Sequence, residues 1–374
     1  MNFKNFSIEN HVRLEIKEIT RQENSFNRSN YIRLDKNENL FSLDELFELK
    51  IKSLVTSDLL SCYTNLEDVY QQIATTFKAN TRCISITAGA DLAIKAVYET
   101  FISPGSHIVL PEYSYGMHHV YLKQFSANVT RISFKQDLNL DVQQILAIEE
   151  NIKLVFIESP SGSTGLSLKD SEIDQLALTL RARNTLLVVD ETYAGIAKEF
   201  LPLSLFNKNP NLLSIRSFSK NLGLAGLRVG LVFANELTIP WLKKVQPMHE
   251  INNFASSVLS LCLSSEEAFS VYRNQVNHSK LLIKESINDK LYDLVIGDAN
   301  FFLIRPKFKQ LSPLNLYMKE NGFLIKDQYD RGALKGFFRV TFGDEIQIKS
   351  FLNHLNKFHL LHNPRENKFH LDDK

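Results

Sequence analysis

The chain has 374 residues, of which 44% are hydrophobic and 23% are charged, so it is long enough for one large and one small globular domain. Its 43 Lys and Arg residues nearly balance its 42 Asp and Glu residues, which excludes a broad field for nucleic acid or a membrane surface. No run of about 18 apolar residues could span a bilayer. Three scattered cysteines indicate neither a disulfide framework nor a zinc site. The N-terminus lacks the apolar core of a signal peptide, so we expect a cytoplasmic protein.

Short continuous apolar runs alternate with helical patterns through the middle of the chain. The runs are bounded by Gly, Pro, Ser, Asp or Asn and occupy residues 83–87, 107–110, 153–157, 185–189, 212–218 and 227–234. Such runs are typical of strands that are buried on both faces of a mostly parallel sheet. Between the first two runs, residues 90–101 place their large apolar side chains on one helical face. The sequence therefore predicts an α/β fold with a mostly parallel central sheet between layers of helices.

The pattern changes after about residue 250. A long helical region is followed by three apolar segments at residues 300–306, 323–327 and 337–343, and then by a helix near residues 347–361. This order predicts a smaller α+β domain, to which the N-terminal segment also contributes. We expect four regions: an N-terminal arm with an active-site loop, a large domain, a small C-terminal domain and a loose polar tail, at residues 1–45, 46–250, 251–362 and 363–374.

Chemically active residues follow several of the predicted strands. In such sheets the catalytic groups lie on loops at the carboxyl ends of the strands. Small residues that open a helix there form an anion site from backbone N–H groups. The chemically active groups are the carboxylate of Asp190, the amine of Lys220, the helix start at Ala90 and Asp91, the aromatic ring of Tyr115 and the guanidinium group of Arg228. Pyridoxal phosphate requires this set, because the lysine forms a Schiff base and the acid keeps the pyridine nitrogen protonated.

The segment SIRSFSKNLGLAGLRVG, residues 214–230, carries a family resemblance. It resembles the Schiff-base motif of the fold-type I, class I and II aminotransferases, and it is most similar to the histidinol-phosphate aminotransferase branch. The similarity runs from about residue 34 to residue 343. It implies that Lys220 bonds to the cofactor and acts as the general base of the proton transfer. It also implies that Ser217 and Arg228 bind the cofactor phosphate.

Further motifs that resemble the family imply the remaining cofactor contacts. VVDETY places Asp190 opposite the pyridine nitrogen and Tyr193 near the phenolic oxygen. YSYGM places Tyr115 on the ring, and TAGAD places the backbone amides of Ala90 and Asp91 on the phosphate. The resemblance thus implies a complete pyridoxal phosphate site.

The resemblance also implies contacts from other segments. CYTNLEDVY places Tyr63 at the phosphate of a neighbouring subunit, which implies a homodimer with shared sites. LDKNENL places Asn39 at the border of the substrate pocket, and FFRVTFG places Arg339 where the family binds a substrate carboxylate or phosphate. Lys326 stands where histidinol-phosphate enzymes tend to have arginine, and we expect it to contact substrate.

One departure concerns the cofactor. The family motif Asn-Pro-Thr-Gly is replaced by ESPSGSTG, so Gly162 stands at the cofactor-binding asparagine. A glycine cannot donate to the phenolic oxygen of the cofactor, and only the hydroxyl of Ser161 or Ser163, or a water, is available nearby as a substitute. The sequence predicts a weaker set of hydrogen bonds at that oxygen.

The leading hypothesis is an aminotransferase that moves an amino group between an amino acid donor and a small keto compound, which can be phosphorylated, by a ping-pong mechanism. One alternative is a pyridoxal phosphate-dependent decarboxylase of a phosphorylated amino acid. Another is a non-catalytic module that binds the cofactor. We expect no nucleic-acid or membrane partner and no metal, because the adjacent His118 and His119 point apart and fit structural roles.

Overall fold

A computed structural model describes residues 7–20, 27–310 and 312–362. Its strands are, in chain order, β1 (Ile32–Leu34), β2 (Ile84–Thr87), β3 (His107–Pro111), β4 (Asn128–Ile132), β5 (Leu154–Glu158), β6 (Leu186–Asp190), β7 (Leu212–Ser217), β8 (Gly230–Ala234), β9 (Tyr292–Ile296), β10 (Phe301–Pro306), β11 (Phe323–Ile325) and β12 (Phe338–Thr341).

The α-helices lie between and around these strands. They are α1 (Leu14–Lys17), α2 (Glu45–Ser53), α3 (Ser57–Ser61), α4 (Glu67–Thr76), α5 (Ala90–Phe101), α6 (Met117–Gln124), α7 (Val142–Leu146), α8 (Asp170–Ala182), α9 (Ser204–Lys208), α10 (Phe218–Asn221), α11 (Ile239–Lys243), α12 (Asn253–Leu263), α13 (Glu266–Ser286), α14 (Leu314–Glu320) and α15 (Glu345–His362). Within the described ranges, no helix is long and apolar enough to cross a membrane.

The central sheet has seven strands in the order β2-β8-β7-β6-β5-β3-β4. Strand β8 pairs antiparallel with both of its neighbours, and the pairs among β7, β6, β5, β3 and β4 are parallel. The predicted mostly parallel sheet is therefore confirmed. Its parallel strands end at one edge, which brings their carboxyl-terminal loops together.

Strand β5 shows why the apolar runs are continuous. Leu154 and Phe156 pack into a core that is shared with α5, α6 and α11, whereas Val155 and Ile157 pack into a core that is shared with α4, α8 and α12. All four side chains are buried because successive side chains of a strand point to opposite faces. The sheet is thus covered by helices on both faces, as predicted.

Several strands differ from the sequence-based prediction. Strand β8 begins at Gly230 rather than at residue 227, because residues 225–227 form a 3₁₀ turn and Arg228 has a left-handed φ of 54°. The sequence patterns do not predict β1, β4 or β9. Strand β4 lies at the edge of the central sheet and is mostly unburied, so it lacks a continuous apolar run. Strand β1 has only three residues, and β9 is mostly half-buried.

A second, smaller structural unit contains the C-terminal strands and part of the N-terminal segment. Strands β9, β10 and β12 form an antiparallel sheet, and β1 pairs in parallel with β11. Side chains from both sheets share one apolar core with α15, which includes Leu34, Phe302, Phe323 and Phe351. The smaller α+β unit is therefore present. The four domain boundaries stay a prediction, and the polar tail at residues 363–374 lies outside the described residues.

A buried ion pair joins the ends of β6 and β7. Arg216 Nε lies 2.9 Å from Glu191 Oε2, and the two side chains are only 3% and 2% exposed. Glu191 also accepts hydrogen bonds from the Leu201 N–H and the Ser214 hydroxyl. The guanidinium group packs 4.2 Å from the centre of the Phe233 ring. The pair fixes the point at which both strands leave the sheet.

Loss of the arginine would leave an uncompensated buried carboxylate. We expect Arg216→Met to lower the free energy of unfolding of the apoprotein by about 3–5 kcal/mol. The exposed pair of Lys349 with Glu345 is the matched control, and Lys349→Met should cost below about 1 kcal/mol. Urea unfolding followed by circular dichroism measures both. Equal small losses would contradict a supporting role for the buried pair.

Candidate active site

Lys220 lies on the short helix α10, which directly follows β7. The Ser217 side chain accepts a hydrogen bond from the Ser219 N–H at 3.2 Å and so begins the short helix α10. Lys220 Nζ donates to the carbonyl oxygens of Lys36 and Asn37 at 2.7 and 2.8 Å. Burial, followed by the positive charge of Arg339, lowers the Lys220 pKa to about 8. A lysine with this pKa presents a larger neutral, nucleophilic fraction near neutral pH than an ordinary lysine does.

Two buried carboxyl groups end the neighbouring strands β5 and β6. Glu158 and Asp190 are register partners. Asp190 Oδ1 accepts a hydrogen bond from the Thr192 N–H at 2.8 Å. Burial raises the Asp190 pKa to about 6, and burial together with the Asp190 charge raises the Glu158 pKa to about 7. The sheet edge therefore holds two acids poised near neutral pH, which is a common property of functional sites.

Arg228 lies beside the N-terminus of α5. Gly89 precedes the helix with a φ of 84°, and a Cβ at Gly89 would lie 2.6 Å from Arg228 Nη2. A Cβ at Gly230 would lie 2.7 Å from the Ala90 nitrogen. The two glycines thus allow the guanidinium group and β8 to approach the helix start. Arg228 Nη2 lies 2.9 Å from Asp91 Oδ2, so the predicted phosphate-binding groups lie together.

Two tyrosines border the same region. Tyr115 is 44% exposed, and its backbone N–H donates to Glu158 Oε1 at 2.9 Å. Burial and a hydrogen bond to Asp91 raise the pKa of Tyr115. The Tyr193 hydroxyl accepts a hydrogen bond from Asn37 Nδ2 at 2.8 Å, and burial raises its pKa. Tyr115 is therefore partly open to solvent, and the Tyr193 hydroxyl is held in place by Asn37.

Arg339 closes the site from β12. Its Nη1 donates to the Gly162 carbonyl oxygen at 2.6 Å, and its Nη2 donates to the Asp35 carbonyl oxygen at 3.3 Å. Arg339 Nε and the Ser219 hydroxyl are buried without a hydrogen-bond partner in the described part of the chain. Arg339 also lies near enough to Lys220 for its positive charge to lower the lysine pKa.

Three predicted residues lie at the border of this region or on the surface. The Asn39 side chain accepts from the Phe41 N–H at 2.9 Å and lies against Gly223, which follows Lys220 by three residues. Lys326 is exposed, although its N–H donates to the Arg339 carbonyl oxygen at 3.0 Å. Tyr63 is 85% exposed, and its ring stacks on the His249 ring with centroids 4.5 Å apart. The other predicted residues lie at the carboxyl edge of the central sheet or face it.

Asn37 is a site residue that the sequence reasoning missed. It is fully buried and has a left-handed φ of 55°. Its carbonyl oxygen accepts from Lys220 and from Asn300, and its side chain bonds to Tyr193 and Thr341. The available signal was its place in the LDKNENL motif, together with the tolerance of asparagine for left-handed backbone.

Glu158 is the second missed residue. Its carboxyl group accepts from the N–H groups of Tyr115 and Gly162 at 2.9 and 2.8 Å, so it joins the loops that follow β3 and β5. The signal was a charged residue placed directly after a buried apolar run, because a buried carboxyl group needs specific partners.

Comparison with known proteins assigns the family. The family model for aminotransferase class I and II matches residues 29–355. The histidinol-phosphate aminotransferase of Brachyspira hyodysenteriae is 26% identical to this chain over 86% of this chain and 91% of that protein. The histidinol-phosphate aminotransferase of Thermoanaerobacter sp. is 29% identical over 89% of this chain and 94% of that protein. The crystal structure of histidinol-phosphate aminotransferase from Sinorhizobium meliloti in complex with pyridoxal-5'-phosphate has a TM-score of 0.84 at 19% identity, with 96% of this chain and 99% of that chain covered. Because the family model spans most of the sequence, the resemblance is confirmed, and the chain belongs to the class I and II aminotransferases.

Proposed function

We propose that the protein is a pyridoxal phosphate-dependent aminotransferase that moves an amino group from an amino acid donor to a small keto compound. The observation that carries the proposal is the position of Lys220. Its amine has a pKa lowered to about 8 and lies at the sheet edge that also presents Asp190 and the anion site of Arg228. A nucleophilic amine, an acid and a phosphate site in one place are the requirements of this cofactor.

The residues present fit the cofactor. Lys220 would hold its aldehyde carbon, Asp190 its pyridine nitrogen and Tyr193 its phenolic oxygen. Tyr115 would lie against the ring. The phosphate would be held by Ser217, Arg228 and the N–H groups of Ala90 and Asp91. When it is bound, pyridoxal phosphate supplies an electron sink that stabilises negative charge at the substrate carbon.

Lys220 is suited to move the proton. The carbonyl oxygens of Lys36 and Asn37 define where its free amine lies. With a pKa of about 8, the amine can accept a proton from the substrate carbon and return it to a neighbouring atom near neutral pH. The lowered pKa therefore serves both bond formation and general base catalysis.

Arg339 is the proposed binding residue for an anionic group of the substrate. Its Nε has no partner among the described residues, and its other nitrogens are fixed by two backbone carbonyl oxygens. The relatives are named for a phosphorylated substrate, and we propose that a small phosphorylated compound is also accepted here. Lys326 and Asn39 are proposed to line the outer part of the same pocket.

Two alternatives stay open to test. A decarboxylase of a phosphorylated amino acid would use the same cofactor site but cleave a different bond, so release of carbon dioxide from such a substrate distinguishes it. A non-catalytic module would bind the cofactor and show no spectral change with any amine. Lys220 and Asp190 are both present, which favours catalysis. A screen of amino donors that follows the visible absorbance of the bound cofactor separates the three functions.

A homodimer with shared sites is part of the proposal. Tyr63 is 85% exposed, and the nearby chain segments present Leu60 and Met248 at 74% and 87% exposure. Such exposed apolar side chains are typical of an interaction surface. A cytoplasmic location also stays a prediction from the sequence, and fractionation of expressing cells would test it.

Lys220→Ala is expected to lower kcat by several orders of magnitude, because both the bond to the cofactor and the general base are lost. The variant should still bind pyridoxal phosphate through the phosphate groups, but without the visible band that depends on the lysine. Absorbance and fluorescence titrations measure both effects. Lys349→Ala is the control, because Lys349 is an exposed lysine on α15. A Lys220→Ala variant with an unchanged band and rate would place the reactive amine elsewhere.

Arg339→Ala should raise KM for acidic or phosphorylated substrates. A charge-assisted bond in a closed pocket is worth roughly 2–5 kcal/mol, so the increase should be about 30-fold or more. Arg82→Ala is the matched control, because Arg82 pairs with Glu236 on the surface. Steady-state kinetics over a series of donors gives the result. Unaltered KM for every anionic substrate would locate the anion site at another residue, with Lys326 or Arg331 the next candidates.

Shared active sites can be tested by complementation. If Tyr63 contributes to the site of the other subunit, Lys220→Ala and Tyr63→Ala should each be impaired alone. Subunit exchange between them should restore up to about one quarter of wild-type activity, because half of the dimers are mixed and each has one intact site. Sedimentation gives the oligomeric state in parallel. A fully active monomer would contradict the proposed dimer.

A further inference from the structure

Neighbouring side chains, and not the backbone conformation, limit which residue fits at position 162. The φ of Gly162 lies outside the left-handed region that favours glycine. A Cβ placed there would lie 3.0 Å from Glu158 Oε2 and 3.3 Å from Tyr193 Cε2. The Glu158 carboxyl group therefore occupies the space into which a larger side chain at residue 162 would project.

Glu158 is fixed in that space. Its Oε1 accepts from the Tyr115 N–H at 2.9 Å, and its Oε2 accepts from the Gly162 N–H at 2.8 Å. Glu158 is only 8% exposed. Its carboxyl group thus joins the loop of the proposed ring-stacking tyrosine to the loop that lacks a side chain at residue 162.

The neighbouring serines bond within the loops. Ser161 Oγ accepts from the N–H groups of Ser163 and Thr164 at 3.2 and 3.3 Å. Ser163 Oγ donates to the Tyr113 carbonyl oxygen at 3.0 Å, so it has used its only proton. Ser161 keeps its proton, and it is the position of the Glu158 carboxyl group against residue 162 that singles out Glu158.

We propose that the Glu158 carboxyl group replaces the missing side chain of residue 162 and is, with Tyr193, the second polar group that borders the phenolic oxygen of the cofactor. This inference rests on the proposed function. It assigns to Glu158 a cofactor-binding role that the family motif places four residues later in the chain.

The charge state of Glu158 suits this role. The charged and titratable groups around it are Asp190 on β6, Arg339 on β12, and the phenols of Tyr193 and Tyr329. Burial, followed by the Asp190 charge, raises the Glu158 pKa to about 7, and Arg339 acts in the opposite direction. The carboxyl group is therefore available in its neutral form, which can donate a hydrogen bond to an ionised oxygen.

A double-mutant cycle tests the exchange of side chains. Gly162→Asn alone should weaken binding of pyridoxal phosphate at least about tenfold, because the new side chain displaces the carboxyl group. Glu158→Ala alone should weaken it similarly. The double variant should recover most of the affinity, because the asparagine then enters the vacated space. Glu112→Ala combined with Gly162→Asn is the control and should give no recovery, because Glu112 follows β3 and pairs with Arg331.

Thermal unfolding of the four apoproteins gives a second readout that does not depend on the cofactor. Gly162→Asn should lower the melting temperature in the wild-type background and less so beside Glu158→Ala. If the losses of cofactor affinity and of melting temperature are additive in the double variant, the inference is wrong. The proposed function still stands in that case, provided that the wild type binds the cofactor. Failure of the wild type to bind the cofactor would overturn both.

Glu158→Gln keeps the shape of the side chain and removes its titration. If the neutral carboxyl group donates to the cofactor, wild-type affinity should fall relative to Glu158→Gln as pH rises above 7, by up to about tenfold per unit. The ratio of the two dissociation constants cancels the titration of groups that both proteins share. A ratio that does not change between pH 6 and pH 8 would contradict hydrogen-bond donation to the cofactor by a titrating Glu158 carboxyl group.

Discussion

The buried ion pair between Glu191 and Arg216 fixes the strand ends that carry the proposed catalytic residues. A carboxylate and a guanidinium group that are almost wholly removed from water are stable only when each has its full set of partners. Glu191 directly follows Asp190, and Arg216 directly precedes Ser217. The pair therefore fixes the carboxyl ends of β6 and β7, and with them the positions at which Asp190 and Lys220 leave the sheet.

A second constraint comes from the N-terminal segment. Asn37 lies more than a hundred residues before Lys220 in the sequence, yet its carbonyl oxygen accepts from the lysine and its side chain donates to Tyr193. Its backbone N–H donates to Thr341 on β12. One buried asparagine thus connects the Lys220 amine, the Tyr193 phenol and the smaller sheet. The lowered pKa of Lys220 and the position of its amine depend on this long-range packing.

Much of the fold could be predicted because a sheet that is buried on both faces leaves continuous apolar runs in the sequence. Strand β4 could not, because an edge strand that is mostly unburied lacks such a run. The LDKNENL motif indicates a segment at the pocket, but the sequence pattern does not show which of its two asparagines, Asn37 or Asn39, is buried against Lys220 and Tyr193. The contact between Glu158 and the space at Gly162 depends on the path of a loop, which no spacing rule encodes.

The central claim is that Lys220 is the amine that bonds to the cofactor. Incubation of the wild-type protein with pyridoxal phosphate, reduction with borohydride and peptide mass spectrometry would locate the bond, because reduction makes it permanent. The account predicts that the added mass lies on the peptide that contains Lys220, in near-stoichiometric amount. Added mass spread over surface lysines, or concentrated on another lysine, would contradict it.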